Sequence, residues 1–595
     1  MEQGRTGWLR VPVGDDAARW ATRKECLRVL VVVHNVTSAT RLLDVLPLFD
    51  DDLRVQLLAT CTGSSAFTAG TAELLAEVGV PVLPWEQALG TDADLVISAS
   101  FGGRLEAFSG RLAILSHGIG YTKRLATPDT GHRTPDTGQG SGSAPAPVFG
   151  LAPAWLLSDR GAPLADALVL SHPEQLDRLR AACPEAAPTA VLAGDPCYDR
   201  MLAARPYRER FRRAFGVRPG QRLVLLSSTW GAASLLGDGD DLVAALLGRV
   251  ADEFPVDEYR FAAVLHPNIW HGHGPGQIRS WLDRARRAGL TLVDPLHGWR
   301  QALLAADAVI GDHGSVTYYA AALGIPVLLG ATPLDDLDPD APISAFMREA
   351  PRLDPAAPLA AQIDGIVDRH RPLPGPAEFT TSVPGESAAR LRRLFYSMMA
   401  VPEPARPASL EPLPLPALEP GTATVPLRVR SRVLGPGEVA VRRWAGDRSA
   451  AGPRDDAELH IAVHEDTRDV GLLELADVVF RHGTPDDPRF GSPERWTAEV
   501  LRRLPGCSLA AFVTGPATCV VRVRDGEPLS LAADEPGADP AAYASALHAW
   551  LAGGGHGPAA ERRLARVVSE GLVVRTGDRA HRVRVAPGGS GPTGR

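Results

Sequence analysis

Residues 305–330, AADAVIGDHGSVTYYAAALGIPVLLG, display the pattern that organises most of the chain. An apolar run at 308–310 meets a polar turn, Gly311-Asp312-His313-Gly314-Ser315. Small residues with helical spacing follow over 316–323, and Gly324-Ile325-Pro326 leads into a second apolar run at 327–329. Unbroken apolar runs of this length predict parallel strands covered on both faces. Similar runs occur at 27–33, 55–59, 82–83, 94–98, 111–116, 167–171 and 190–193, with helical spacing between them at 39–49, 72–78 and 172–182. After a helix at 207–215, a second series follows: strands at 223–227, 260–265 and 291–292, and helices at 241–254, 277–288 and 299–305. The alternation predicts an α/β protein with two facing doubly wound domains, 27–195 and 196–400. Ligands then bind outside the carboxyl ends of the strands.

Other stretches break the pattern. Residues 1–26 read as a lead-in. Residues 127–147, where TPDTG occurs twice, read as a mobile Gly/Pro/Ser/Thr insert. Residues 401–426 are Pro-rich and predict an extended linker. Beyond it, short strands at 428–432, 438–442, 460–464, 509–513 and 519–524 mix with helices near 494–503, 540–551 and 558–569. That mixture predicts a small α+β domain over 427–585, a place for a protein partner, and a disordered tail at 586–595.

Composition narrows the class. The chain has 595 residues, 45% hydrophobic and 22% charged, as in a globular protein of several domains. A net charge of −8 argues against nucleic acid as partner. Six cysteines without a CxxC pair predict reduced thiols and a cytoplasmic setting. No apolar run approaches the ~18 residues of a membrane span, and the N-terminus lacks a signal-peptide core. Arginine is abundant, whereas lysine occurs only at Lys24 and Lys123, which singles out Lys123 in the turn after 111–116. GxxxxGK[ST], GxSxG, HExxH and GxGxxG after the first strand are all absent.

The candidate chemistry sits where strands end. His117-Gly118 and His266-Pro267 each put an imidazole beside a turn, where it can act as a base or donor, or serve the turn itself. Ser228-Thr229 offers hydroxyls to a phosphate or to a helix cap. The turn at 312–315 opens a helix whose free N–H groups and dipole suit an anion, or merely begins an ordinary βαβ unit. His271, His273, Asp312 and His313 match no metal-ligand spacing, so no metal is expected. Asp335, Asp336 and Asp338 read as a solvated acidic loop.

In order, these turns resemble those of the CDP-glycerol glycerophosphotransferases of teichoic-acid synthesis, which have the GT-B fold. Ser116-His117-Gly118 is similar to the family's HG turn, and Gly194-Asp195-Pro196-Cys197-Tyr198-Asp199 to its GxPRxD turn. Leu226-Ser227-Ser228-Thr229-Trp230 resembles its APTW strand end, and His266-Pro267 its HP. The stretch from Ala306 through Ser315 to Pro326-Val327 resembles its ADxxITDYSS segment. The sequence departs from the pattern at Ser116, at Cys197 in place of Arg, at His313-Gly314 in place of Tyr-Ser, and in having no Arg before His266.

The resemblance implies a transferase with His117 as base and His266, Asp312, His313, Gly314, Ser315, Thr317, Ser228 and Thr229 on the donor side. Gly118 and Lys123 would belong to the acceptor side or its loop. It implies a nucleotide-diphosphate donor as substrate with no further cofactor, a membrane-linked polymer acceptor, and peripheral association with the inner face of the membrane. Two alternatives stand beside it. One is a non-catalytic GT-B-like nucleotide- or polymer-binding protein with a partner-recruiting tail. The other is an enzyme like UDP-N-acetylglucosamine 2-epimerase, which Gly314 to Pro326 also resembles, although Tyr318-Tyr319 replaces its paired glutamates.

Overall fold

The computed structural model describes residues 7–63, 70–116, 118–124, 147–239, 242–446, 457–553 and 558–588. Among them, twelve strands form two wholly parallel sheets. The first comprises β1 (Leu27–Val33), β2 (Val55–Cys61), β3 (Val82–Leu83), β4 (Leu95–Ser98), β5 (Arg111–Leu115), β6 (Ala167–Leu170) and β7 (Ala190–Leu192), in the order β3-β2-β1-β4-β5-β6-β7. The second comprises β8 (Arg222–Ser228), β9 (Tyr259–Leu265), β10 (Thr291–Leu292), β11 (Ala308–Gly311) and β12 (Val327–Leu329), in the order β10-β9-β8-β11-β12. Both orders reverse direction beside the first strand of the series, which opens a crevice at that point. The apolar runs are explained by burial on both faces. In β1, Val29, Val31 and Val33 enter one core while Leu30 and Val32 enter another. In β8, Leu223 and Leu225 oppose Val224 and Leu226 in the same way.

The last helix of this region, Ser387–Met398, crosses back to the first sheet. There Leu391, Phe395 and Tyr396 join its core, and Phe395 stacks on Phe49 at 5.7 Å between ring centres. Asp199 fixes its start by accepting N–H groups from Gly385 (2.7 Å) and Ser387 (3.0 Å). Asp338, expected in a solvated loop, is instead buried. It accepts from Arg178 Nη1 at 3.0 Å and so ties the second domain to the first. A fold reading from spacing misses this, because a buried cross-domain ion pair leaves no periodic trace.

The expectation of an α+β tail is corrected. Nine strands close into a barrel: β13 (Leu427–Gly435), β14 (Glu438–Trp444), β15 (Glu458–His464), β16 (Val478–His482), β17 (Leu509–Val513), β18 (Thr518–Val523), β19 (Pro528–Ala533), β20 (Leu572–Thr576) and β21 (Arg579–Pro587), in the order β13-β14-β20-β21-β19-β18-β17-β16-β15. Antiparallel β13–β15 pairing closes the ring. The helix Pro540–Ala552 packs against β13, β14, β16, β17, β18 and β20 and is buried around its circumference, so it fills the barrel. Its alanines bring it close to the strands, while Tyr543, Leu547 and Trp550 fill the wider parts of the lumen. A second helix, Pro493–Arg503, covers the outer face of β15–β17 through Trp496, Val500 and Leu501.

The barrel is anchored to the second domain. Arg443 forks onto Asp257 (2.7 and 2.8 Å), and Arg442 onto Glu258 (2.7 and 2.9 Å). The Pro-rich segment 401–426 has no regular structure and is clamped along its length. Arg200 donates to the Glu411 carbonyl, Gln301 to that of Pro414 and Arg260 to that of Gly421. The insert 127–146 and the end of the tail, 589–595, lie outside the described residues. No described helix is long and apolar enough to cross a membrane.

Candidate functional site

The carboxyl ends of β1, β5, β8, β9 and β11 converge on a cavity of about 310 Å³ between the two parallel-sheet domains. The second domain supplies Ser228, Thr229, Trp230, His266, His313, Gly314 and Ser315. The first supplies Thr37, Arg41, Ser116, Gly118 and Lys123. His117 lies outside the described residues, between two that line the cavity.

Asp312 builds this site from behind. Its carboxylate is fully buried and accepts backbone N–H groups from Thr229 (2.8 Å), Leu235 (2.9 Å) and Gly314 (2.9 Å). Burial raises its pKa, and those N–H groups and Lys123 oppose the rise. The carboxylate therefore joins the 228–236 loop to the start of the Ser315–Ala322 helix instead of facing a ligand. Ser228 supports the same loop, donating to the Thr229 carbonyl (2.8 Å) and accepting from Leu236 N–H (2.9 Å). Thr317 is fully buried over Gly311 and does not line the cavity. With Asp312 behind it, the helix directs its first N–H groups and its dipole into the cavity, an arrangement suited to an anion.

His266 caps the helix Pro267–His273. Its Nδ1 accepts the Asn268 N–H at 3.1 Å, so in the neutral ring the proton sits on Nε2. That nitrogen lies 3.4 Å from Thr37 Oγ1 of the facing domain, at the mouth of the cleft. His313 is buried beside Lys123, and both effects push its pKa down to about 3, which leaves a neutral imidazole at physiological pH. Lys123 comes from the first domain but lies against the second, with Nζ 5.5 Å from the centre of the Trp230 ring. Burial lowers its pKa, and the Asp312 and Asp336 carboxylates counter this.

Sequence reasoning missed Arg41, which sits in the helix Val36–Val45 among residues with ordinary helical spacing. It lines the cavity, donates to Tyr319 Oη at 3.1 Å and lies 3.9 Å from Asp195. Tyr319 donates to Asp195 Oδ2 at 2.5 Å, and its Oη is 3.0 Å from the Gly118 carbonyl. Behind this, Arg300 pairs with Asp44 at 2.6 Å and donates to Cys197 Sγ at 3.1 Å. A guanidinium from another helix thus reaches the position whose arginine the motif comparison found replaced. The only signal for it was the charge on an otherwise apolar helix, 299–305. Among the described residues no three His, Cys, Asp or Glu side chains gather as a metal set.

Gly118 brings the two domains into contact. Its φ is +72°, a region that side chains rarely adopt, and a Cβ there would lie 2.3 Å from Ser315 Oγ. Gly118→Ala is expected to cost ~1–3 kcal/mol, read as a lower urea midpoint. Adding Ser315→Gly should recover the steric part and leave the backbone strain.

No family model and no curated protein matches the chain. Solved structures that overlay on it include the wall teichoic acid polymerase TagF, with 13% identity, a TM-score of 0.41, and coverage of 63% of this chain and 89% of that one. UDP-GlcNAc 2-epimerase from Methanocaldococcus jannaschii, in complex with UDP-GlcNAc and UDP, overlays at 11% identity and a TM-score of 0.41, covering 62% of this chain and 100% of that one. The epimerase from Neisseria meningitidis, bound to UDP-GlcNAc, has 12% identity and a TM-score of 0.37, covering 63% and 100%. The reading of the site rests on its own geometry and not on these likenesses.

Proposed function

We propose that this protein is a GT-B-type transferase that moves a glycerophosphate or glycosyl group from a nucleotide-diphosphate donor to a hydroxyl acceptor in cell-envelope or capsule polymer synthesis. The observation that carries the reading is the convergence, in one interdomain cavity, of an unblocked helix start, the His266 Nε2–H donor and the Lys123 ammonium. All three favour negative charge, and that charge grows on the departing phosphate in such a transfer. His117 takes the acceptor's hydroxyl proton. The resulting oxygen bonds to the transferred phosphorus or sugar carbon, and the bond to the departing nucleotide phosphate breaks with its electron pair left on that phosphate. Lys123, His266 and the Ser315–Ala322 helix neutralise it there. Trp230, 40% exposed at the cavity, offers its ring to the base.

Calorimetric titration with CDP, UDP and GDP tests the donor site. One nucleotide is expected to bind, and Lys123→Met or His266→Ala should weaken it by about 10–100-fold, the worth of one charge-assisted hydrogen bond. His117→Ala should keep nucleotide affinity and lose turnover; unchanged turnover would remove the base assignment. If no nucleotide binds, the donor site itself is wrong. Binding without transfer to any hydroxyl acceptor would favour the non-catalytic alternative. An epimerase is disfavoured by Tyr318 and Tyr319, which are both buried where that chemistry needs carboxylates.

A further inference from the structure

A second cavity, of about 540 Å³, lies away from the interdomain cleft, between the back of the second parallel-sheet domain and the mouth of the barrel. Its volume is in the range of small-molecule sites, ~300–1,000 Å³. Most of its wall is carbon. Leu247, Val250, Phe254 and Leu290 come from the second domain, and Phe480 and Val513 from the barrel. The clamped segment passes it at Pro420–Ala423.

The polar groups gather where the barrel meets the domain. Arg218, Arg260, Arg443, His482 and Asp539 all line the cavity. Asp539 is already engaged: it accepts from Arg443 Nη2 at 2.9 Å and lies 3.2 Å from His482 Nε2. Arg260 Nη2 donates to the Gly421 carbonyl and Arg218 lies 3.9 Å from Asp539, but other nitrogens in this wall have no partner. Arg443 is 1% exposed, and its Nη1 is buried with no hydrogen-bond partner among the described residues. Arg260 Nε is in the same state; His482 Nδ1, an acceptor when Nε2 donates to Asp539, also has no partner there. Burial and the neighbouring Arg218 pull the Arg260 pKa down to about 10, with only Asp539 opposing. Against the three guanidinium groups stand two carboxylates, Asp539 in the wall and Asp257 behind Arg443, so one positive charge is left over. Buried donors of this kind are costly unless a partner arrives.

We infer that this cavity binds a single-chain aliphatic monocarboxylate, with its head on the Arg260–Arg218 pair and its chain along Leu247, Val250 and Leu290. One surplus charge matches one carboxylate, and the planar guanidinium fork fits its two oxygens. The apolar walls account for the chain, whose burial supplies most of the affinity. This inference is independent of the function proposed for the cleft.

The test is calorimetry on the full chain with dodecanoate, dodecanol and dodecyl phosphate. Dodecanoate is expected to bind at one saturable site, at least about tenfold more tightly than dodecanol. Arg260→Met should remove that preference while leaving dodecanol unaffected. Val250→Trp, which fills the apolar end, should abolish both. Circular dichroism confirms that each variant folds, and Arg218→Met replaces Arg260→Met if the latter does not. Absence of saturable dodecanoate binding overturns the inference, and so does equal binding of acid and alcohol. Tighter binding of dodecyl phosphate than of dodecanoate overturns the carboxylate assignment.

Discussion

Lowering the pH from about 7 to about 4 is expected to unfold the barrel. His460 and His464 are buried on its inner face, and burial pushes their pKa values from 6.5 down to about 3 and about 4. His548 and Arg443 add to the fall at His460, and His482 adds to it at His464. In the unfolded chain both titrate near 6.5, so between that pH and about 4 the unfolded state holds two more protons than the native one. Their contribution to stability is full above about 6.5 and is lost as the pH falls through the window, with a slope of about 3 kcal/mol per pH unit. If the whole chain unfolds together, His313 raises this to about 4. The raised carboxyls of Asp195 and Asp312 act with the opposite sign above 3.8 and offset part of the loss. Urea midpoints at stepped pH measure the slope. His460→Phe should flatten it by about one proton, because neither ring nitrogen of His460 has a partner to lose among the described residues. A midpoint that stays constant from pH 7 to pH 5 would refute this account.

Asp312→Ala should cost the second domain about 3–5 kcal/mol and the cleft its nucleotide affinity. Removing the carboxylate strands the buried N–H groups of Thr229, Leu235 and Gly314, each worth about 1–3 kcal/mol when unpaired. Part of that cost is returned, because burying the ion was itself unfavourable. Asp312→Asn keeps the shape but turns an NH₂ toward some of these donors, and an intermediate loss is expected. The measurement is the urea midpoint together with the dissociation constant of whichever nucleotide binds the wild type. An Asp312→Ala protein with unchanged stability and weakened binding would mean that the carboxylate faces the ligand after all.

The described residues named from sequence for the site fall into two groups. His266, His313, Gly314, Ser315, Ser228, Thr229, Gly118 and Lys123 line the cavity, because strand ends in a doubly wound sheet share one edge and strand ends are visible as apolar-to-polar transitions. Asp312 and Thr317 are at the same edge but point inward. Spacing cannot distinguish a turn's outward side chain from the one that closes it. Arg41 and Arg300 were not named, because each reaches its partners across a domain boundary from a helix of ordinary pattern.

The sequence by itself determined the two parallel α/β layers. The information is local: unbroken apolar runs require burial on both faces, and several of the helices between them follow from spacing, although Pro196–Ala204 and Pro267–His273, where only turns were expected, do not. For 305–330 the expected elements and the observed ones, Ala308–Gly311, Ser315–Ala322 and Val327–Leu329, differ by one residue at most. The barrel was decided only in three dimensions. Its strands were partly legible, but closure depends on pairing β14 with β20 and β13 with β15, and alternation of period two carries no record of which strand lies alongside. The charges followed the same rule. An arginine facing an aspartate of another domain looks, in sequence, like any surface residue, and only the folded chain determines whether it is solvated or buried.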